Sequence, residues 1–306
     1  MFPSLRGRAR DTAVGVAFDK RGVALAVLRR ASRDRAPRLL ACERIDGAEV
    51  RGAALKSWLA RNRARGAPVV ALLASGEYQV MQIEAPPVPA AEMRIAAGWR
   101  VRELLDYPLD QAVIDTFALP EPAQRGTTRI NVVAARREVV ADRIALLRGS
   151  GFALRAIDIP ELAQGEAGNR LPADERGHAL LALERDTGLI TIARDGEQYL
   201  ARPLDVGLGA IARGEDGIEA LVLEVQRSFD YFESAMSQAP VGVLYLHPAG
   251  EAAQTLARAI ESGLGTISCK AVVVGDLVDV ELEPEHAGAT LLHAIGAALR
   301  RVEASP

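Results

Sequence analysis

The sequence predicts an α/β fold assembled from two copies of one pattern. Thr12 to Ile45 and His178 to Pro203 each read as three consecutive strands with short charged turns. Each meander is followed by helical spacing and then by a short continuous apolar run, the signature of a strand buried on both faces. Hydrophobic residues are 49% and charged residues 25% of 306, which supplies a sizeable core in about two domains. Aromatics are only 4%, so that core falls to Ala, Val, Leu and Ile.

Taken in order, Thr12 to Phe18 and Gly22 to Arg29 are strands joined at Asp19-Lys20-Arg21-Gly22, and Leu39 to Ile45 is the third. Leu55, Trp58 and Leu59 recur at helical spacing between Ala53 and Arg65, and Val69 to Leu73 is the buried strand. Pro86, Pro87 and Pro89 then end one element before a helix from about Ala90 to Leu105. Strand patterns follow at Ala112 to Ala118 and Arg129 to Ala135. A helix over Arg137 to Ser150 is closed by Gly151, and Phe152 to Ile159 is a further strand. Gln164 to Arg176, rich in Gly, Glu and Pro172, reads as a linker.

The second meander is His178 to Leu183, Gly188 to Ala193 and Glu197 to Pro203, turning at Arg194-Asp195-Gly196. A long helix spans about Glu219 to Met236, with a strand at Val241 to Leu246 and a helix at Ala252 to Ser262. Ala271 to Val274 reads as a strand and Ala289 to Arg301 as a terminal amphipathic helix. The expected domains are residues 1–77, an insert at 78–163, a linker at 164–176 and a second domain at 177–306. The terminal helix belongs to that second domain or returns to the first.

The composition excludes a disordered, collagen-like or disulfide-scaffold chain, and no run of about 18 apolar residues suggests a membrane span. Arg6, Arg8 and Arg10 near the start precede no hydrophobic stretch, so they read as a basic end and no secretory signal. The net charge of −3 hides an asymmetry: residues 1–65 carry 16 basic and 6 acidic side chains, residues 214–306 carry 5 and 14. Either the surface is simply bipolar, or the basic end faces anionic lipid or an acidic partner. Nucleic acid is not expected, since aromatics are not interleaved with the basic residues. His178, His247, His286 and His293 lack metal-ligand spacing, and Cys42 and Cys269 read as small buried hydrophobes in a reduced, cytosolic compartment. No metal is expected.

Several strings narrow the layout. Glu224-Val225-Gln226-Arg227-Ser228-Phe229-Asp230-Tyr231-Phe232 resembles the arginine-serine helix of PilM-type assembly proteins, and is closer still to the MshI branch. That branch serves mannose-sensitive haemagglutinin (MSHA) pili. Gly296-Ala297-Ala298-Leu299-Arg300 resembles the closing motif of the family, and Asn131-Val132-Val133-Ala134-Ala135-Arg136-Arg137-Glu138 its strand-to-helix step. The resemblance runs from about Asp11 to Arg301. It implies the actin-like ATPase fold, with two ribonuclease-H-like domains and a small α/β subdomain inserted in the first. It also implies a cytoplasmic scaffold of a type IV pilus or type II secretion machine, held at the inner membrane through the cytoplasmic tail of a bitopic protein.

The resemblance places a nucleotide cleft between the domains, where this sequence departs from the pattern. Ala17 stands for the aspartate of the first phosphate turn and Asp19 for its glycine. The second turn reads Leu183-Glu184-Arg185-Asp186-Thr187-Gly188, and the adenosine turn His247-Pro248-Ala249-Gly250. Phosphate binding needs glycine for close backbone approach, and proline removes a donor. The expectation is a degenerate site at Ala17, Asp19, Glu184, Asp186 and Pro248, with no cofactor and no catalysis. The alternative is a nucleotide-binding ATPase of the same machine. Trp99, Tyr107 and Arg136 are the expected contacts of the partner tail, in a groove between the first domain and its insert; core packing is the competing role for the two aromatics.

Overall fold

Large and small side chains alternate along the first strand, and that alternation decides what packs on each face of its sheet. The computed structural model describes residues 11–32, 35–120, 128–172, 174–265, 267–284 and 288–301. Arg6, Arg8, Arg10 and His286 lie outside the described residues. β1 (Thr12–Asp19), β2 (Gly22–Arg29) and β3 (Arg38–Asp46) form an antiparallel meander. Val14, Val16 and Phe18 share one face with Val23, Leu25 and Val27, while Ala13, Ala17, Ala24 and Ala26 share the other. The large-residue face is covered by α1 (Gly52–Arg61), whose Trp58 stacks on Phe152 at 6.4 Å. β4 (Pro68–Leu72) then enters parallel to β1.

The chain leaves that sheet after β4. β5 (Tyr78–Glu84), α2 (Met93–Val101), β6 (Ala112–Ala118) and β7 (Arg129–Arg136) make the insert, an antiparallel sheet of order β5-β7-β6. Ala97 and Val101 of α2 pack on Ile130 and Val132, which covers one face of it. α3 (Arg137–Gly149) returns to the first core through Leu147, and Gly151 at φ +88 allows the tight exit. β8 (Ala153–Asp158) pairs parallel with β4, completing the order β3-β2-β1-β4-β8. The insert therefore ends at Arg136 and not at residue 163, because β8 finds its backbone partners in the first sheet.

The expected linker is in part a core helix. α4 (Pro160–Gly168) buries Gln164 completely, and its amide donates to Leu180 O, Leu189 O and Thr191 Oγ1. Among the described residues of that stretch, those after Gly168 are irregular, a division the Gly- and Glu-rich composition alone does not reveal.

The second domain repeats the first. β9 (His178–Leu183), β10 (Gly188–Arg194) and β11 (Glu197–Leu204) form the meander. α5 (Glu215–Met236), β12 (Val243–His247), α6 (Glu251–Leu264) and β13 (Ser268–Ala271) follow, giving the order β11-β10-β9-β12-β13. The strand expected at Ala271 to Val274 thus sits three residues earlier, and Val274 opens a single helical turn, Val274–Leu277.

The final helix, α7 (Ala289–Leu299), crosses back onto the small-residue face of the first sheet, while α4 crosses onto the second. The sequence supplies the room: a Cβ at Gly15 would lie 1.7 Å from Ala294 O, and one at Gly296 would lie 2.0 Å from Ala163 O. The two domains therefore share one core. Among the described residues no helix is long and apolar enough to cross a membrane.

Candidate functional site

The two turns expected to approach phosphates approach each other. Both oxygens of Asp19 accept from Arg44 Nη2, at 3.0 and 2.7 Å, and Oδ1 also accepts from the Arg21 backbone N–H. Thr290, in the first turn of α7, donates its N–H to Glu184 Oε1 at 2.7 Å. Its hydroxyl stands 2.6 Å from the same oxygen and 2.8 Å from Asp19 Oδ2. A hydroxyl has one proton, so it donates to one carboxylate at a time and holds both turns to the same helix end. Arg21 and Asp186 add an ion pair at 2.9 Å across the mouth, solvent-exposed on both sides and worth little by itself. Burial works to raise the Asp19 carboxyl; its hydrogen bonds from Arg44, Thr290 and Arg21, with the Arg44 charge, hold it below the usual value.

This arrangement does not fit a magnesium nucleotide. A phosphate cradle needs free backbone N–H groups and space, whereas here a carboxylate takes the Thr290 N–H at the start of α7. The pocket beside the Asp19–Thr290–Glu184 contacts holds about 100 Å³, walled by Ala17, Asp19, Glu184, Thr290 and His293 among others. Small-molecule and cofactor sites begin at roughly 300 Å³. Ala17 is buried in β1. Pro248, beyond the end of β12, is not part of the pocket wall. The structure thus brings Asp19, Glu184 and Asp186 together and leaves Pro248 apart.

Mg-ATP or Mg-ADP at millimolar concentration is therefore expected to leave the melting temperature unchanged and to release no phosphate above a buffer blank. A native-state ligand at 100 times its Kd would add about 2.7 kcal/mol, several degrees for a chain of this size. Such a shift would show a variant nucleotide site in this cleft.

A groove of about 310 Å³ separates the insert from the first domain. Val113 and Phe117 of β6 and Val133 of β7 form one wall; Ile157 of β8 and Leu162 of α4 form the other. Both flanking strands, β6 and β8, are the outer strands of their sheets. At the rim Arg300 donates to Asp158 at 2.7 Å. An extended peptide could meet an open strand edge, apolar sockets and a fixed charge pair here.

Trp99, Tyr107 and Arg136 do not line this groove. Trp99 lies on α2, which covers the opposite face of the insert, where it is 60% exposed beside Ile95 at 69%. Arg136 falls on that same face by strand alternation with Val132 and Ala134; its guanidinium lies 4.2 Å from the Tyr107 ring and pairs with Asp106. Tyr107 is buried beneath it. The three positions expected to contact a partner therefore lie on the face of the insert away from the β6–β8 groove. The pattern showed that the insert has two faces, but not which one α2 would cover.

The motifs acquire physical roles. Ser228 and Glu224 on α5 hold Arg202 of β11, whose guanidinium bonds the Ser228 hydroxyl and the Glu224 carboxylate and carbonyl. Phe229 and Phe232 are core, with Phe232 edge-on to Tyr199. Gly296 makes the α4–α7 crossing, and Arg300 of the same motif reaches the groove rim. Arg137 ties the start of α3 to Asp110 O and Ala112 O. Part of the charge asymmetry is satisfied internally, since Arg38 pairs with Asp279 and Glu281. Cys42 and Cys269 are half-buried thiols raised by burial, Cys269 to about 12. Among the described residues no group of three or more His, Cys, Asp or Glu could hold a metal.

Solved structures share this architecture. A structure described as the PilM-PilN type IV pilus biogenesis complex matches at TM-score 0.70 and 22% identity, over 94% of this chain and 97% of that chain. The cytoplasmic domain of EpsL, an inner-membrane component of the type II secretion system of Vibrio cholerae, matches at 0.51 and 13%, over 81% and 93%. A Bacteroides thetaiotaomicron protein of unknown function with an actin-like ATPase fold matches at 0.52 and 10%, over 88% and 94%. No protein-family model and no curated protein matches the chain. The repeated meanders, the shared core and these likenesses establish that this chain has the actin-like ATPase fold.

Proposed function

We propose that the chain is a PilM-like, non-catalytic scaffold of a type IV pilus or type II secretion assembly platform, nearest the MshI branch. It works in the cytoplasm and is held at the inner membrane by the short cytoplasmic tail of a bitopic partner. The observation that carries this reading is the β6–β8 groove, flanked by two open strand edges, in a chain of which 94% follows the fold of a PilM-PilN structure. The nucleotide-dependent alternative is opposed by the hydrogen bonds that tie Asp19 and Glu184, in the two turns the resemblance assigns to phosphate, to Thr290. The test is pull-down and titration calorimetry with cytoplasmic tails of bitopic proteins encoded beside this chain. One tail should bind, and Val113→Arg, which puts a charge in the apolar wall, should weaken it at least tenfold. Failure of every tail, or undiminished binding by the variant, would sink the proposal.

A further inference from the structure

A second and larger hollow, of about 740 Å³, lies between the insert and the second domain. It is bordered by β5 and β11, again outer strands: β5 is paired to β7 and β11 to β10. Val80 of β5 and Tyr231 of α5, each 39% exposed, present apolar surface to it. Tyr231 Oη meets Gln82 Oε1 at 3.4 Å between α5 and β5, so the hollow is bounded by both bodies.

The charge of its walls is one-sided. Arg202 and Arg227 both line it, and both guanidiniums bond the single carboxylate of Glu224, which leaves one positive charge over. Arg227 is the more exposed of the two. The acidic lining residue is Glu161, 5% exposed and hydrogen-bonded by Tyr78 at 2.7 Å. Burial pushes its carboxyl upward, towards the neutral form.

We propose that this hollow docks a short extended segment of a partner protein that carries acidic side chains. The open edges of β5 and β11 supply backbone hydrogen bonds, Val80 and Tyr231 receive alternate apolar side chains, and Arg227 pairs with a carboxylate. The site is bordered by β5 and β11 where the other groove is bordered by β6 and β8, with Phe117 of β6 lining both, and it does not depend on the pilus reading.

Fluorescein-labelled heptapeptides test it, with valine at alternate positions and either glutamate or lysine between. Each series is titrated into the intact chain and followed by anisotropy. The glutamate series should bind saturably and at least tenfold more tightly than the lysine series. Arg227→Glu should invert that preference and Arg227→Gln should abolish it, with melting temperatures confirming that both variants fold. Val113→Arg in the other groove should change nothing. Equal affinity of the two series, no saturable binding, or binding indifferent to Arg227 overturns the proposal. A dimer in sedimentation that Arg227→Glu dissolves would give the hollow to a second copy of this chain, and overturns it equally.

Discussion

Replacing Gly296 by valine is expected to destabilise the chain by about 3 kcal/mol or more, at the upper end of overpacking costs. At roughly 2–4 °C per kcal/mol this is a fall of about 6–12 °C in melting temperature. The cause is local: a Cβ there would lie 2.0 Å from the carbonyl oxygen of Ala163 and 2.7 Å from its carbon. Both are backbone, and backbone inside two crossing helices cannot yield as a side chain can. Alanine gives the sharper result. Its helix propensity alone would stabilise by about 1 kcal/mol over glycine, so a loss must come from the crossing. Gly149→Ala, in α3 with nothing within 4 Å, is the control and should be neutral or slightly stabilising. A stabilised Gly296→Ala, measured by thermal unfolding, would mean that α4 and α7 do not cross this closely.

That crossing shows where a sequence is legible and where it stops being so. Alternation of Val14, Val16 and Phe18 with Ala13, Gly15 and Ala17 announces a strand with one bulky and one small face. The meanders, the long α5 and Gly151 after α3 follow from period and turn chemistry in the same way. What covers the small face is not a local property. α7 arrives from more than 270 positions away, so only the glycines hint that a helix must come close. The end of the insert is illegible for the same reason, since nothing local says that β8 pairs with β4 across the excursion.

The cleft was more legible than the grooves. By the resemblance, Asp19 and Glu184 stand where glycine and aspartate would serve a phosphate, so the departure from the pattern is readable residue by residue. The sequence could not show what replaced it, because Thr290 becomes the bridge only when α7 docks. Both turns are held by the same helix end. The grooves depend on which strands end up outermost, which is a matter of topology and has no residue signature.

Acid should unfold this protein earlier than its carboxylates alone would, through His293, a partly buried side chain of α7 in the wall of the closed cleft. Its Nε2 lies 2.9 Å from Gln164 Oε1. The Gln164 amide already donates to Leu180 O and Leu189 O, so its oxygen accepts and His293 must be the Nε2–H tautomer. Burial, with nearby His247 adding to it and Asp19 opposing, pushes the imidazole down to about 3. Above pH 6.5 the ring is neutral folded and unfolded, and the full stability is present. As pH falls below 6.5 the unfolded chain takes up a proton that the native one refuses, so stability is lost until the folded ring titrates near 3. At pH 5 the loss from this ring is about 2 kcal/mol. His178 is lowered by burial, which outweighs the Gly168 backbone and the Asp174 charge, and acts in the same direction. Glu161, raised by burial, works oppositely as it becomes protonated. Urea midpoints measured from pH 7.5 to 5 should therefore fall, and His293→Gln, which keeps a donor for Gln164 without titrating, should flatten that slope by about one proton. An unchanged slope in the variant would place the imidazole in contact with water and its proton affinity near normal.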